Sequence, residues 1–179
     1  MFTLTAEYTP GGDDAVVRYR GVNGFRTPLF VCHLPLDAGF GRHPHTAYAA
    51  LSADDLRLNL LLGESPLPVD EDVEYSVRPL AVRVSPGGEV RGEVRLQLPA
   101  LEWNAYFLPT AEGTSPDPLP AYQIALAVDV CPVVAGQFNP VDSPPDHFSV
   151  FGPMTRHTVV LTPDRPVPVW KRVEPFARW

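Results

Sequence analysis

Cysteine and long apolar runs are scarce in this chain, and each scarcity excludes a class of protein. Cys32 and Cys131 are the only cysteines among 179 residues, and no C-x-x-C pair occurs. A disulfide framework or a zinc ribbon is therefore not indicated, and we expect two buried thiols, with a Cys32–Cys131 disulfide as the alternative. No run is long enough to span a bilayer, and residues 1–7 lack the pattern of a signal peptide. We expect a cytoplasmic protein with no membrane partner.

Basic residues are also few, at 14 against 21 acidic ones, for a net charge of −7. Lys171 is the only lysine, and no basic stripe is present, so nucleic acid is not an expected partner. The G-x-S-x-G elbow, the Walker loop, H-E-x-x-H and a helix-opening G-x-G-x-x-G are all absent. An active site could still be assembled from separate loops. The sequence therefore favours a non-catalytic protein without a cofactor and leaves enzymatic activity open.

A strict alternation of polar and apolar residues is the clearest pattern present. Across residues 89–98 charged or polar side chains alternate with valine, leucine and one glycine, which is typical of an antiparallel strand with one wet face. The turn residues 85–88 (SPGG) and the alternating run before them predict a hairpin over residues 80–98. This alternation, together with a similar one at residues 122–130, predicts that the following side chains are buried: Val82, Val84, Val90, Val94, Leu96, Leu98, Ile124, Leu126 and Val128.

Similar short runs recur along the chain, separated by turns rich in proline and glycine. They predict strands at residues 2–8, 15–22, 29–34, 56–62, 122–130, 147–151, 157–162 and 167–173. Residues 47–51 could form one helical turn, and residues 99–120 are expected to be mostly irregular. The predicted fold is a single all-β domain spanning residues 1–179. Its architecture would be an antiparallel β-sandwich of about seven to ten short strands with long Pro-rich loops.

Five short motifs resemble those of bacterial immunoglobulin-like β-sandwich proteins of unassigned function. They are Val22-Asn23-Gly24, residues 28–31 (PLFV), 86–89 (PGGE), 96–99 (LQLP) and 103–106 (WNAY). The resemblance covers residues 15–106 and implies an immunoglobulin-like sandwich. It brings no catalytic residues with it.

Histidines and carboxylates suggest one candidate metal site. If successive strands alternate in direction, the loops at 10–14, 35–55, 85–88 and 132–147 emerge at one end of the sandwich. The loops at 23–28, 63–76 and 99–120 would emerge at the other end. The first end would gather His43, His45, Asp146 and His147, whose imidazole and carboxylate groups suit a first-row metal. The alternative is that these are solvated loop residues, and we expect no stoichiometric transition metal in the purified protein.

An acidic loop near two aromatic residues suggests a second candidate site. Asp70 and Asp72 lie in the loop expected at the opposite end, together with Trp103 and Tyr106. Carboxylates beside aromatic rings occur in sites for carbohydrates and other small ligands, although this loop lacks the glycine and spacing of a calcium loop. The alternative is a solvated charge run beside a core tryptophan.

The C-terminal segment, residues 170–179, concentrates aromatic and cationic side chains in an acidic protein. Trp170, Phe176 and Trp179 would be costly to leave in water, so we expect the segment to dock on its own domain or on a neighbouring subunit. Together these features favour a protein–protein interaction module or a self-associating homo-oligomer. A small-ligand or carbohydrate-binding module and a metal-dependent enzyme are the alternatives.

Overall fold

In the computed structural model, every regular element in the part of the chain that is described is a β-strand. The described residues are 1–34, 47–52, 54–65, 77, 79–106, 114–134, 137–142 and 145–172. The strands are β1 (Phe2–Pro10), β2 (Asp14–Asn23), β3 (Leu29–Leu34), β4 (Tyr48–Ser52), β5 (Arg57–Leu62), β6 (Leu80–Val84), β7 (Glu89–Gln97), β8 (Ala100–Leu101), β9 (Leu119–Ala121), β10 (Gln123–Pro132), β11 (Gln137–Pro140), β12 (His147–Phe151), β13 (Thr155–Leu161) and β14 (Val167–Trp170). The predicted all-β class is confirmed, but the expected seven to ten strands are too few, since the described residues form fourteen. The helical turn expected at residues 47–51 is instead β4.

The strands form three sheets. The first sheet has the order β1-β2-β7, and a small third sheet has the order β8-β14-β9. The large sheet runs β11-β12-β6-β3-β10-β5-β4, and β13 also pairs with β10. The pairs β5–β10 and β8–β14 are parallel. The expectation of purely antiparallel pairing is therefore wrong, because the chain returns to each partner through a long connection that lets it run in the same direction.

The first and large sheets contribute their facing side chains to one hydrophobic core, which the small sheet extends. Along β7 the apolar residues point inward while Glu93 and Arg95 are exposed, as the alternation predicted. Seven of the nine predicted core residues are buried, which leaves Val82 and Leu98 half-buried against the same core.

The two strands of the expected hairpin at residues 80–98 belong to different sheets. β6 pairs with β3 and β12, whereas β7 pairs with β2. The hairpin prediction is therefore wrong, and residues 85–88 form an arch that crosses from the large sheet to the first sheet. A hairpin and an arch require the same alternation and the same turn residues, because in either case each strand directs its apolar face at the shared core.

A buried asparagine joins this arch to the one that leads from β2 to β3. The Nδ2 group of Asn23 donates to the carbonyl oxygens of Val84 (3.1 Å) and Ser85 (3.2 Å). The loop at 24–28 and the arch at 85–88 therefore lie side by side. The expected division of the loops between two ends is wrong, because it assumed that successive strands alternate in direction. β5 runs parallel to β10, and both β10 and β6 run antiparallel to β3, so β5 and β6 have the same direction.

The large sheet carries a second, smaller apolar cluster on the face turned away from the main core. Phe30, Cys32, Cys131 and Val150 are buried there with Ala81. This second cluster explains why β3, with the sequence LFVCHL, is apolar on both faces. Both cysteines are buried and unbonded, so the expectation of two buried thiols is confirmed.

Among the described residues there is no helix with the length and apolar character required to cross a membrane.

Candidate functional site

Of the two aromatic residues proposed for a ligand site, Trp103 is buried in the core and Tyr106 is half-buried. Trp103 is 1% exposed, and its ring lies 4.9 Å from that of Tyr48 in an edge-to-face contact. The hydroxyl of Tyr106 accepts a hydrogen bond from the backbone N–H of Val77 at 3.0 Å. Asp70 and Asp72 lie outside the described residues. A sugar needs an exposed aromatic face on which to stack, so the burial of Trp103 agrees with the alternative of a core tryptophan. A ligand site that includes Tyr106, Asp70 and Asp72 stays a prediction.

The residues proposed for the metal site can be followed only in part. His43 and His45 lie outside the described residues, while Asp146 is exposed with a positive φ of 62°. His147 opens β12, and its ring contacts that of His33. Within the described ranges, no group of three or more His, Cys, Asp or Glu side chains is arranged to hold a metal ion.

The first residues of the C-terminal segment dock on their own chain. Trp170 is half-buried at the end of β14. The Lys171 carbonyl accepts from the Ser115 backbone at 2.6 Å, and the Arg172 backbone donates to the Glu102 carboxylate at 2.8 Å. Phe176 and Trp179 lie outside the described residues, so a contact of the segment's end with a neighbour stays a prediction.

A cluster of one tyrosine and two histidines lies where the first sheet faces β3 and β12. His33 sits at an irregularity in the register of β3, between Cys32 and Leu34. A bulge of this kind leaves one residue out of the ladder and redirects its side chain. The Tyr19 hydroxyl is 2.6 Å from His33 Nδ1, and the ring centroids of His33 and His147 are 5.8 Å apart.

Burial disfavours the charged forms of two members of this cluster, His33 and Tyr19. Burial lowers the pKa of His33, and the neighbouring His147 lowers it further. Burial also raises the pKa of the Tyr19 hydroxyl. Gly92 of β7 leaves space for that hydroxyl, because a Cβ at this position would lie 2.5 Å from the Tyr19 oxygen.

Sequence reasoning missed Tyr19 and His33, although a signal was present. Gly92 interrupts the apolar row of β7 at a single position, which indicates that a large side chain from another strand approaches there. His33 near the end of a strand that is otherwise apolar needs a polar partner. Neither feature identifies that partner, because Tyr19 and His147 come from distant parts of the chain.

The outer face of the first sheet is covered by paired charges. Arg20 and Arg91 lie opposite each other on β2 and β7, and both contact the Glu89 carboxylate, with Nε–O distances of 2.6 and 2.7 Å. These arginines hold the pKa of Glu89 below its usual value. Glu93 and Arg95 form a further exposed pair. Charges of this kind protect the long β7 edge from pairing with other strands.

Strand β11, at one end of the large sheet, has a different character. All four of its residues (QFNP) are exposed and none is charged. Phe138 is 42% exposed, yet its ring packs 4.8 Å from that of the buried Phe30 and 5.8 Å from that of Phe148. Among the described residues, β11 pairs only with β12. β11 is therefore a short, uncharged edge strand that carries an anchored aromatic ring.

Comparison with known proteins adds no family to this geometry: no family model, curated protein sequence or solved structure matches the chain.

Proposed function

We propose that the chain is a non-catalytic, immunoglobulin-like β-sandwich that self-associates by pairing β11 with β11 of a second copy. The shared core of the first and large sheets supports the sandwich part of this proposal. Under this proposal, the parallel β5–β10 pair and the small third sheet are additions to an immunoglobulin-like plan. The exposed, uncharged strand β11 is the observation that supports self-association.

Phe138 supports binding because part of its ring is anchored and part faces solvent. The contacts with Phe30 and Phe148 hold the ring in one orientation before any partner arrives. Binding through a ring that is already ordered loses little side-chain entropy. Exposed aromatic residues are also the type enriched in the centres of protein interfaces.

A second copy is favoured as the partner because β11 can face itself without repulsion. In a symmetric pair each residue meets a residue of the same strand, so any charge on β11 would lie near its own copy. Residues 137–140 have no charge, whereas the β7 edge carries alternating glutamate and arginine. Of these two edges, β11 is the one whose backbone can pair with an identical strand.

Sedimentation velocity over a range of protein concentrations tests the proposal. The wild-type chain should shift from monomer to dimer as the concentration rises. Asn139→Lys adds one charge to the exposed edge and should keep the protein monomeric at every concentration, without lowering its melting temperature. Thr158→Lys is the matched control, because Thr158 is exposed on β13 and its replacement should leave the dimer intact.

The same experiment contains the results that would overturn the proposal. A wild-type protein that stays monomeric at all concentrations would refute self-association. A dimer that persists in Asn139→Lys, or that is lost equally in Thr158→Lys, would place the interface somewhere other than β11.

A further inference from the structure

The two histidines that meet between β3 and β12 each have one ring nitrogen already engaged. Nδ1 of His147 lies 2.9 Å from the carbonyl oxygen of Pro145. A carbonyl oxygen can only accept, so this nitrogen carries the proton and donates it. The neutral ring of His147 therefore has its lone pair on Nε2.

The partner of His33 permits the same state. The Tyr19 hydroxyl, 2.6 Å from His33 Nδ1, can accept a proton as well as donate one. When Nδ1–H donates to Tyr19, the lone pair of His33 is also on Nε2. Metal-binding histidines in proteins have this arrangement, in which the second nitrogen donates to an oxygen that fixes the ring.

We propose that His33 and His147 together bind a late first-row divalent cation through their Nε2 atoms, with water completing its coordination. An ion about 2 Å from each nitrogen places the centroids of two liganding rings about 5 to 6 Å apart. The centroids here are 5.8 Å apart, with an angle of 37° between the ring planes. Of the common divalent cations, Cu²⁺ should bind most tightly to an imidazole pair.

The exposure of the two histidines agrees with this assignment. Both are half-buried, so water can reach the remaining coordination positions. This site differs from the one predicted from the sequence: it replaces the histidines at 43 and 45 with His33, which the bulge in β3 brings to His147.

Cu²⁺ titration followed by electron paramagnetic resonance tests the proposal directly. The protein should carry His43→Ala and His45→Ala, so that copper bound by those residues does not contribute. We expect one copper ion per chain, with hyperfine coupling to two imidazole nitrogens. His147→Ala should reduce the coupling to one nitrogen and weaken binding by about ten-fold or more, as should His33→Gln. His157→Ala is the matched control, since that half-buried histidine packs against Phe2 on another strand and its removal should change nothing.

Tyr19→Phe tests the orienting hydrogen bond separately, because removal of such a partner typically weakens metal binding about 10- to 100-fold. Circular dichroism of each variant shows whether it is folded. The parent protein, which carries His43→Ala and His45→Ala, keeps both His33 and His147, so its two-nitrogen signal tests the site even if a variant fails to fold. A parent spectrum without two imidazole couplings, or one that His147→Ala leaves unchanged, would overturn the assignment. Either result is independent of whether β11 forms a dimer.

Discussion

Replacement of Asp129 by asparagine should destabilise the protein far more than the loss of a surface charge. Asp129 of β10 is 2% exposed, and Arg156 lies directly opposite it on β13. Its carboxylate accepts from Arg156 Nε at 2.8 Å and Nη2 at 3.0 Å, and from the Glu64 backbone at 3.0 Å. One buried group therefore joins β10, β13 and the residues that follow β5.

The expected loss of stability follows from the hydrogen bonds that the introduced amide can still accept. The amide keeps one oxygen, but its NH₂ group faces donors that the second carboxylate oxygen accepted before. Removing one partner of a fully buried ion pair costs about 3–5 kcal/mol. The Arg156 side chain is 46% exposed and can be solvated in part. We therefore expect a loss of about 2–3 kcal/mol in the free energy of unfolding, and a melting temperature lower by about 4–12 °C.

Urea denaturation of the variant and of a matched control provides the assay. Glu93→Gln makes the same chemical change beside Arg95, in a pair whose side chains are 38% and 63% exposed, and should cost less than about 1 kcal/mol. Combining Asp129→Asn with Arg156→Met should cost less than the two single changes added together, because the pair is lost only once. Equal losses for Asp129→Asn and Glu93→Gln would refute the reasoning.

Two further predictions concern the arches and the histidine cluster. Asn23→Ala removes the amide that bonds Phe25 and Thr27 of one arch and Val84 and Ser85 of the other. It should lower the free energy of unfolding by about 2–3 kcal/mol in urea denaturation; an effect below about 1 kcal/mol would contradict the described role. Because the pKa of His33 is lower in the folded protein than the ordinary 6.5, the unfolded chain binds more protons below that pH. Stability from this residue is thus present above pH 6.5 and lost as the pH falls toward the folded pKa. Thermal melts should show wild type losing more stability than His33→Gln between about pH 7 and pH 5, and parallel curves would refute this.

Local sequence pattern predicted ten of the fourteen described strands and the buried faces of the longer ones, because both depend on neighbouring residues. The alternation in β7 identified Val94 and Leu96 as core and Glu93 as surface, and the structure agrees. The same pattern could not identify the partner strand. β6 and β7 face the core from opposite sheets, and the contact that fixes this arrangement joins Asn23 to Val84 across 61 positions.

The candidate sites were harder to predict, because they depend on contacts between distant segments. Trp103 was proposed as part of a ligand site, but only the fold shows that Tyr48 and the core enclose it. The bulge that turns His33 toward Tyr19 has no local signature. β11 is four residues long, too short for a periodic pattern to reveal, and the exposure of Phe138 follows from its place at the sheet edge.

A spin label on β11 tests the central claim, that β11 pairs with its own copy, most directly. Asn139→Cys provides an exposed thiol, while Cys32 and Cys131 are buried and should stay unlabelled. Paired strands lie about 5 Å apart, so two nitroxides at this position should broaden each other's spectrum strongly. We expect broadening at high concentration that disappears when labelled protein is mixed with excess unlabelled protein. A sharp spectrum at every concentration, or the same broadening from a label placed at Thr158→Cys, would contradict the claim.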